Sequence, residues 1–374
     1  MLADAGDALC DLRVLRDEAS LFGVVASAAT AWRTIASVDA ERLDALRRAR
    51  AVARERVWAL AGAPRRVVLD IDATLITAHS EKEGAAGTYK GGYRFNPLVC
   101  FEASTGEAIS GILRPGNAGS NHAWDHIEVL CLALEQLPEQ VDRRGVLVRC
   151  DSGGASHLVT STITELGMRF SVGCDLSEPV RQAILRLPET AWHAALSANG
   201  EPREGAEIAE LTGLDLSGWP IGTRAICRRE RPHPGAQLSF TDHHGRRFQV
   251  LISNQTSRRI ARLEQLQRQR ATVEDAIRSA KDSGLRNLPF RDLHPNTVWL
   301  ELVLLGQDLI RWTQRLLLSD TPARRWGPKR LRYRLLHAAG KLTRHARRTR
   351  LHLPATWPWR HEIISESPRV SWTL

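Results

Sequence analysis

The order of hydrophobic and polar positions changes several times along the chain. Residues 1–62 carry apolar side chains at helical spacing, which predicts a helical N-terminal region. Apolar and polar residues then alternate from Val67 to Asp72, the spacing of a β-strand. The patterns that follow predict two more strands, a helix, a strand, a helix and a last strand, in "YRFNPLVCFEAST", "EAISGILRPGN", "SNHAWDHIEVLCLALEQLP", "GVLVRC", "HLVTSTITELGM" and "RFSVGC".

Antiparallel strands followed by alternating helices and strands favour a mixed α/β sheet with helices on its faces. This is the element order of the ribonuclease H-like fold, which is the fold class that we predict. Recurring turn residues between 176 and 257 separate short alternating runs, so we expect a strand-rich insertion there. Helical patterns resume in "SRRIARLEQLQRQRATVEDAIRSAKDSGL" and "NTVWLELVLLGQDLIRWTQRLLL", and a basic helix is predicted near residues 328–348.

The same patterns divide the chain into five predicted segments. They are a helical N-terminal region (1–64), the first part of a catalytic core (65–175), the strand-rich insertion (176–257), the closing helices of the core (258–320) and a basic helical C-terminal region (321–374).

The net charge of the chain indicates what class of partner it binds. The formal net charge is +10 and the pI is about 9.9, which indicates a polyanionic partner, nucleic acid first. Eleven lysines and arginines and no acid lie between Arg324 and Arg350. We call it equally open whether this stretch neutralises DNA phosphates or forms a solvated basic helix.

Other classes of protein find no support in the sequence. No apolar run approaches the length of a membrane span, and the N-terminus is acidic where a secretory signal would be basic. The six cysteines are scattered without a C-x-x-C pair, as expected for reduced, mostly buried thiols of a cytoplasmic protein rather than for a zinc site. Neither a phosphate-binding loop nor a serine-nucleophile motif is present, so no nucleotide cofactor is expected.

Three acids stand out by their positions. Asp72 lies late in the first strand, Asp151 ends the fourth strand, and Glu274 lies on a long helix after the insertion. Three convergent carboxylates can hold two Mg²⁺ ions on either side of a phosphodiester, with Mn²⁺ as the alternative ion. Asp70 points to the same side of the strand as Asp72, so either residue can be the first ligand.

The helix that carries Glu274 favours this acid over its neighbour. At about 100° per residue, Arg270, Glu274 and Lys281 fall within about 40° of one another, whereas Asp275 falls on another face. Glu274 could then hold metal while Arg270 and Lys281 grip phosphates. The alternative is a solvated helix with pairs such as Arg270–Glu274 and Glu274–Arg278.

Taken together, these segments resemble the DDE transposases of bacterial insertion sequences. The resemblance covers about residues 1–350 and is carried by "LDIDATL", "GYRFNPLVCFEASTGEAISGILRPGN", "VRCDSGG" and the spacing R-x3-E-x6-K. More narrowly, the chain is similar to the insertion-sequence 1380 group of the IS4-like set. There the first acid sits in D-x-T, which matches Asp72 and Thr74, and the last motif begins with a tyrosine, where this chain has Gln267.

The resemblance implies a Mg²⁺-dependent DNA endonuclease and strand transferase. Catalytic and metal-binding acids would be Asp72, Asp151 and Glu274, with Asp70 as the alternate acid. Arg270, Lys281, Arg278 and Arg114 would bind DNA. The partners would be the terminal inverted repeats of the element and the target DNA, held by a homodimer or higher oligomer in the cytoplasm, at the bacterial nucleoid.

Two features depart from a complete family member. The chain opens directly into a helical pattern that the family usually reaches after a further N-terminal segment, and its last residues, "WPWRHEIISESPRVSWTL", are less like the family. We therefore also carry the hypothesis of an N-terminally truncated, defective transposase. The remaining alternative is a basic DNA-binding protein whose acids are structural.

Overall fold

A computed structural model describes residues 1–88, 91–232, 235, 242–243, 245–345 and 348–366. The last residues of the predicted C-terminal region, 367–374, lie outside this range. The helices are α1 (Leu12–Asp17), α2 (Ala19–Phe22), α3 (Ala28–Ala36), α4 (Ala40–Ala61), α5 (Ala123–Glu135), α6 (His157–Glu165), α7 (Glu178–Leu185), α8 (Ile260–Arg268), α9 (Thr272–Ala280), α10 (Leu293–Leu317), α11 (Pro328–Leu331) and α12 (Arg360–Glu366). The strands are β1 (Val68–Ala73), β2 (Ile76–Thr77), β3 (Ala86–Gly87), β4 (Tyr93–Phe95), β5 (Leu98–Glu102), β6 (Ala108–Ile112), β7 (Leu147–Cys150), β8 (Arg169–Cys174), β9 (His193–Leu196), β10 (Pro202–Glu210), β11 (Arg224–Glu230), β12 (Asp242–His243), β13 (Arg246–Ser253), β14 (Lys341–His345) and β15 (Arg348–His352).

The chain forms two compact units. The sheet unit comprises Pro64–Thr74 and Asn96–Asp275, and the helical unit comprises Met1–Ala63, Leu75–Phe95 and Ala276–Leu374. The five segments predicted from the sequence follow changes in its pattern and are not the same as these two units. Their bounds stay a prediction.

The sheet unit is built on one large mixed sheet. Its strands follow the order β6-β5-β1-β7-β8-β13-β11-β10-β9, and β12 pairs with β13. In the first five strands, β5 is antiparallel to both β1 and β6, whereas β1, β7 and β8 are parallel. This order, 3-2-1-4-5 with an antiparallel second strand, is the topology of the ribonuclease H-like fold, so the predicted fold class is confirmed.

Helices cover both faces of this sheet. Ile71 pairs with Cys100, and Cys100 with Ser110, so these three side chains share one face. On that face the Ser110 hydroxyl donates to the Val129 carbonyl of α5 at 2.8 Å. Asp70 and Asp72 point to the opposite face, which is the side where α8 packs. Because both faces are covered, apolar residues of β1 and β5 such as Leu69 and Val99 are fully buried.

The predicted insertion is strand-rich, as expected, and extends the same sheet. Its last strand, β13, pairs antiparallel with β8, which joins β9 to β13 to the core strands. Helix α8 covers the insertion strands through Ile260 and Leu263, which pack on Ile208 and Ile226.

The helical unit is organised around α4 and α10. Arg50 and Arg54 of α4 are buried, and they pair with Glu301 and Asp308 of α10. Further along the chain, Trp326 packs in an apolar cluster with Ile310, Leu318, Ala323 and Leu331.

The basic helix predicted near residues 328–348 is wrong over its second half. Helix α11 starts at Pro328 and is followed by a π-helical turn at Arg332–Leu336, and then β14 and β15 form an antiparallel hairpin. Gly340 weakens a helix at this point, and Thr343 favours a strand through its branched side chain.

All six cysteines are free thiols, of which Cys100, Cys150 and Cys227 are buried. Within the described ranges, no helix is both long and apolar enough to cross a bilayer.

Candidate catalytic site at the strand ends

Asp72 and Asp151 lie level with each other at the carboxyl ends of two neighbouring parallel strands. Asp70 of β1 is opposite Arg149 of β7, so Asp72 is level with Asp151, the first residue after β7. Neighbouring strands are about 4.8 Å apart, and the negative charge of Asp151 acts on the carboxyl of Asp72. The fold thus brings together two of the three predicted acids, both within the sheet unit.

The alternate acid, Asp70, is engaged elsewhere. It is fully buried, and its two carboxylate oxygens accept hydrogen bonds from Arg149 Nε at 2.6 Å and Nη2 at 2.7 Å. A bidentate guanidinium uses both oxygens of the carboxylate, and solvent does not reach the pair. This contact favours Asp72 over Asp70 as the metal ligand.

A crowded turn presents Asp151. Its Oδ1 accepts a hydrogen bond from Gly153 N at 3.0 Å and caps the short helical turn Ser152–Gly154. A Cβ on Gly154 would lie 2.4 Å from Cys150 Cβ, and a Cβ on Gly173 would lie 2.9 Å from Ser152 N. Only glycine therefore lets the chain turn this sharply after β7, which leaves the Asp151 side chain exposed.

Arg270 acts as the counter-ion of the two acids. It lies in a 3₁₀ turn, Gln269–Ala271, and its Nη2 is 3.0 Å from Asp72 Oδ1 and 3.2 Å from the Ile71 carbonyl oxygen. Burial raises the pKa of Asp72, which the charge of Arg270 opposes and that of Asp151 reinforces. Burial also lowers the pKa of Arg270, but Asp72 and Asp151 outweigh this effect and raise it, so the guanidinium stays charged.

Two further contacts dock α8 onto the same strands. The Gln267 amide donates to the Cys150 carbonyl at 3.0 Å, directly before Asp151. Arg149, which holds Asp70, also donates to the Leu266 carbonyl of α8. Together with Arg270, these bonds fix the end of α8 against the last residues of both β1 and β7.

Glu274 is exposed on α9, one helical turn beyond Arg270. Within the described part of the chain, no three Asp, Glu, His or Cys side chains are close enough together to hold a metal ion. Glu274 thus does not join Asp72 and Asp151 in a closed ligand set here. The helical stripe that grouped it with Arg270 and Lys281 is not one regular helix, because Arg270 precedes α9 in a 3₁₀ turn and Lys281 follows α9, just before a kink at Ser283 and Gly284.

The other predicted DNA contacts have different surroundings. Arg278 is exposed on α9. The Lys281 ammonium donates to the Leu75 carbonyl at 3.3 Å, within the helical unit.

Arg114 is buried. Its Nε donates to the Asn96 carbonyl at 2.9 Å, and its Nη1 lies 3.0 Å from Asp125 Oδ2. Arg114 therefore holds the loop before α5.

Sequence reasoning missed Arg149, Gly173 and the role of Gln267. An arginine within the otherwise apolar run "GVLVRC" was a usable signal, because a buried arginine requires an acidic partner on a neighbouring strand. Gly173 and Gln267 gave no such signal, since their contacts come from residues far away in the chain.

Two solved structures are similar to this chain. The chain is similar to a piggyBac transposase in a synaptic complex with hairpin DNA, with 10% sequence identity and a TM-score of 0.41 over 85% of this chain and 60% of that one. It is also similar to Mos1 transposase in a paired-end complex, with 16% identity and a TM-score of 0.22 over 44% of this chain and 57% of that one. The chain therefore spans less than two thirds of the length of either relative.

A search of curated protein sequences gave no match. A family model described as transposase DDE domain group 1 matches residues 3–371, which is almost the whole chain. With strand-end acids on a ribonuclease H-like sheet, the chain belongs to the DDE transposase family.

Proposed function

We propose that this chain catalyses metal-dependent DNA strand cleavage and strand transfer at the terminal inverted repeats of its own insertion sequence. The family implies a polynucleotidyl transferase type of enzyme. The observation that carries the proposal is the level placement of Asp72 and Asp151 at adjacent strand ends, beside an arginine counter-ion. The four segments that carry the resemblance support the narrower assignment to the insertion-sequence 1380 group.

The donors present suit a hard divalent cation. Asp72 and Asp151 offer carboxylate oxygens from two rigid strands, and Mg²⁺ prefers oxygen ligands. Cys150 is no competing ligand, since burial raises the pKa of its thiol to about 12. Asp72 and Asp151 would hold the ions, and Glu274, exposed on α9, would complete the set. When bound, two Mg²⁺ ions, or Mn²⁺ in their place, would supply positive charge to the attacking and leaving oxygens.

The residues of the chain position the reaction. Gln267 and Arg270 hold the end of α8 against the strands, so that the acids meet the phosphodiester in a fixed arrangement. Arg270 neutralises Asp72 and Asp151. With divalent cations bound to the two acids, its guanidinium would be available to a DNA phosphate.

The proposed chemistry consists of two displacements at phosphorus. Water attacks the phosphodiester at the element end, a new oxygen–phosphorus bond forms, and the bond to the 3′ oxygen breaks to leave a 3′-hydroxyl. That hydroxyl then attacks a phosphodiester of target DNA and displaces its 3′ oxygen. The partner is double-stranded DNA, and holding two element ends requires a dimer or a higher oligomer.

One observation favours a second candidate function. The ion pair between Arg270 and Asp72, with Glu274 outside the group, is also what a chain that binds DNA without cutting it would show. In that case the protein is a defective transposase or a basic DNA-binding protein.

Cleavage of the DNA that borders the coding region separates these functions. We expect Mg²⁺-dependent cleavage by the wild type and a loss greater than about 100-fold in Asp72→Asn, Asp151→Asn and Glu274→Gln, because ligand removal should exceed the effect of removing a partner outside the ligand set. DNA binding by the three variants should persist.

The matched control is Asp275→Asn, which removes a carboxylate from the residue next to Glu274. It should cleave like the wild type. Cleavage by Glu274→Gln at the rate of Asp275→Asn would remove Glu274 from the site, and binding without any cleavage would establish the second candidate.

A further inference from the structure

The C-terminal hairpin has one strongly basic face. Strands β14 and β15 are antiparallel, with Lys341 opposite His352 and Thr343 opposite Arg350. Directly opposed residues project to the same side of a two-stranded sheet, and alternate residues share a face. We define the basic face by Lys341, Thr343, His345, Arg350 and His352. Leu342 lies on the other side.

This face is open to solvent and has no acidic partner in the described part of the chain. Lys341, His345, Arg350 and His352 are exposed. None of them belongs to the ion pairs formed between described residues, and no acid occurs from Arg324 to Arg350. A hydrogen bond of 2.9 Å joins Thr343 Oγ1 and His352 Nε2 across the strands. The exposed basic side chains therefore form a pattern that no carboxylate of the described residues neutralises.

Both ends of the hairpin are anchored. Arg334, which precedes β14, stacks on the rings of Trp326 and Trp359 at 4.7 Å each. Trp357, which follows β15, donates to the Arg334 carbonyl at 3.0 Å and packs edge-on against Trp359. The ribbon thus extends from a rigid aromatic base, which lowers the entropy lost when it binds a partner.

We propose that this hairpin is a DNA-binding ribbon whose basic face contacts the backbone of double-stranded DNA. A two-stranded ribbon fits the major groove, which is about 12 Å wide. Lysine and arginine neutralise phosphates, and threonine and histidine side chains supply further hydrogen bonds. The choice of DNA as the polyanion rests on the proposed function, but the ribbon is separate from the carboxylate site.

The salt dependence of binding to a duplex tests the proposal. Each phosphate neutralised contributes about 0.9 to the slope of log K against log salt concentration. We expect the double variant K341A/R350A to reduce this slope by about 1.8, so its affinity should fall about tenfold less than that of the wild type between 50 and 200 mM salt. The matched control, R181A/R186A, removes one exposed arginine of α7 and the exposed arginine that directly follows this helix, and it should keep the wild-type slope.

Cross-linking from neighbouring positions tests the face itself. A photo-cross-linking amino acid at position 343 should join to duplex DNA, and the same group at position 342 should not. Equal yields from both positions, or a slope change in K341A/R350A no larger than in the control, would overturn the proposal. Preference for single strands, RNA or anionic vesicles over duplex would also overturn it.

Both measurements are made with the full chain, in chelator, without cleavage. Failure of catalysis and failure of the ribbon are therefore distinguishable, since the absence of cleavage leaves cross-linking at position 343 unaffected. Unchanged thermal unfolding of K341A/R350A serves as the folding control.

Discussion

Asp70 and Asp72 lie two residues apart on the same side of β1, but their surroundings differ. Asp70 is matched by Arg149 from the neighbouring strand and is fully buried. Asp72 lies at the strand end, where its neighbours are Arg270 and Asp151. The sequence D-x-D is compatible with either acid as the metal ligand. Arg149, opposite Asp70 on the neighbouring strand, distinguishes the two acids.

This difference predicts that two similar substitutions destabilise the protein to different extents. Asp70→Asn leaves the Arg149 charge buried without its carboxylate, so we expect a loss of about 3–5 kcal/mol in the free energy of unfolding. Asp72→Asn also removes the repulsion from Asp151, so its loss should be about 1 kcal/mol. Urea unfolding measures both values, and cleavage should be lost in Asp72→Asn even where the variant is folded.

The opposite pattern would exchange the two assignments. If Asp70→Asn folds normally and does not cleave while Asp72→Asn does cleave, Asp70 is the ligand.

At the scale of elements, the predicted long helix from Ser257 to Leu285 is divided. A 3₁₀ turn separates α8 from α9, and the chain kinks after α9 at Ser283 and Gly284. Arg270, in this 3₁₀ turn, contacts Asp72, whereas Glu274 on α9 is exposed. Hydrogen bonds from Gln267 and Arg270 to strand carbonyls are the physical reason for this arrangement.

The Gln267 bond predicts a positioning role. Gln267→Leu removes the donor to the Cys150 carbonyl, so we expect a loss of about 0.5–1.5 kcal/mol of stability. Because the α8 end would then be free to shift relative to Asp151, the cleavage rate should fall about tenfold with little change in affinity for DNA.

The control is Gln269→Leu, an exposed residue in the 3₁₀ turn, which should match the wild type in both rate and stability. A Gln267→Leu variant with a wild-type rate and reduced stability alone would make the bond merely structural.

At the scale of the whole molecule, the chain carries two kinds of charge. The 52 lysines and arginines behind the formal net charge of +10 include buried arginines that serve the fold. In the helical unit, Arg50 Nε and Arg54 Nη2 both donate to Asp308 Oδ2, at 2.7 and 2.5 Å. The composition alone does not separate these buried arginines from exposed ones that could meet DNA.

Removing the shared carboxylate should destabilise the helical unit strongly. Asp308→Asn removes the carboxylate that the buried Arg50 and Arg54 share. We therefore expect the free energy of unfolding to fall by at least about 3–5 kcal/mol. Denaturant unfolding followed by tryptophan fluorescence measures this loss. Glu41→Gln, an exposed acid on α4, should stay within about 0.5 kcal/mol of the wild type.

The sequence by itself determined the α/β fold class, the strand-rich character of the insertion, the basic character and the candidate acids. Hydrophobic periodicity and charge are local properties of a chain, so they can be read without a structure. Only the tertiary structure decided which acid of D-x-D is buried with Arg149, where the long helix breaks and which arginine faces Asp72. It also replaced a predicted basic helix with a hairpin that has a basic face. The contacts of Asp70, Gln267 and Arg270 join residues that are far apart in the chain, so local patterns do not specify which residues meet. The hairpin is a local feature, in which Gly340 and the branched Thr343 outweighed the helical spacing.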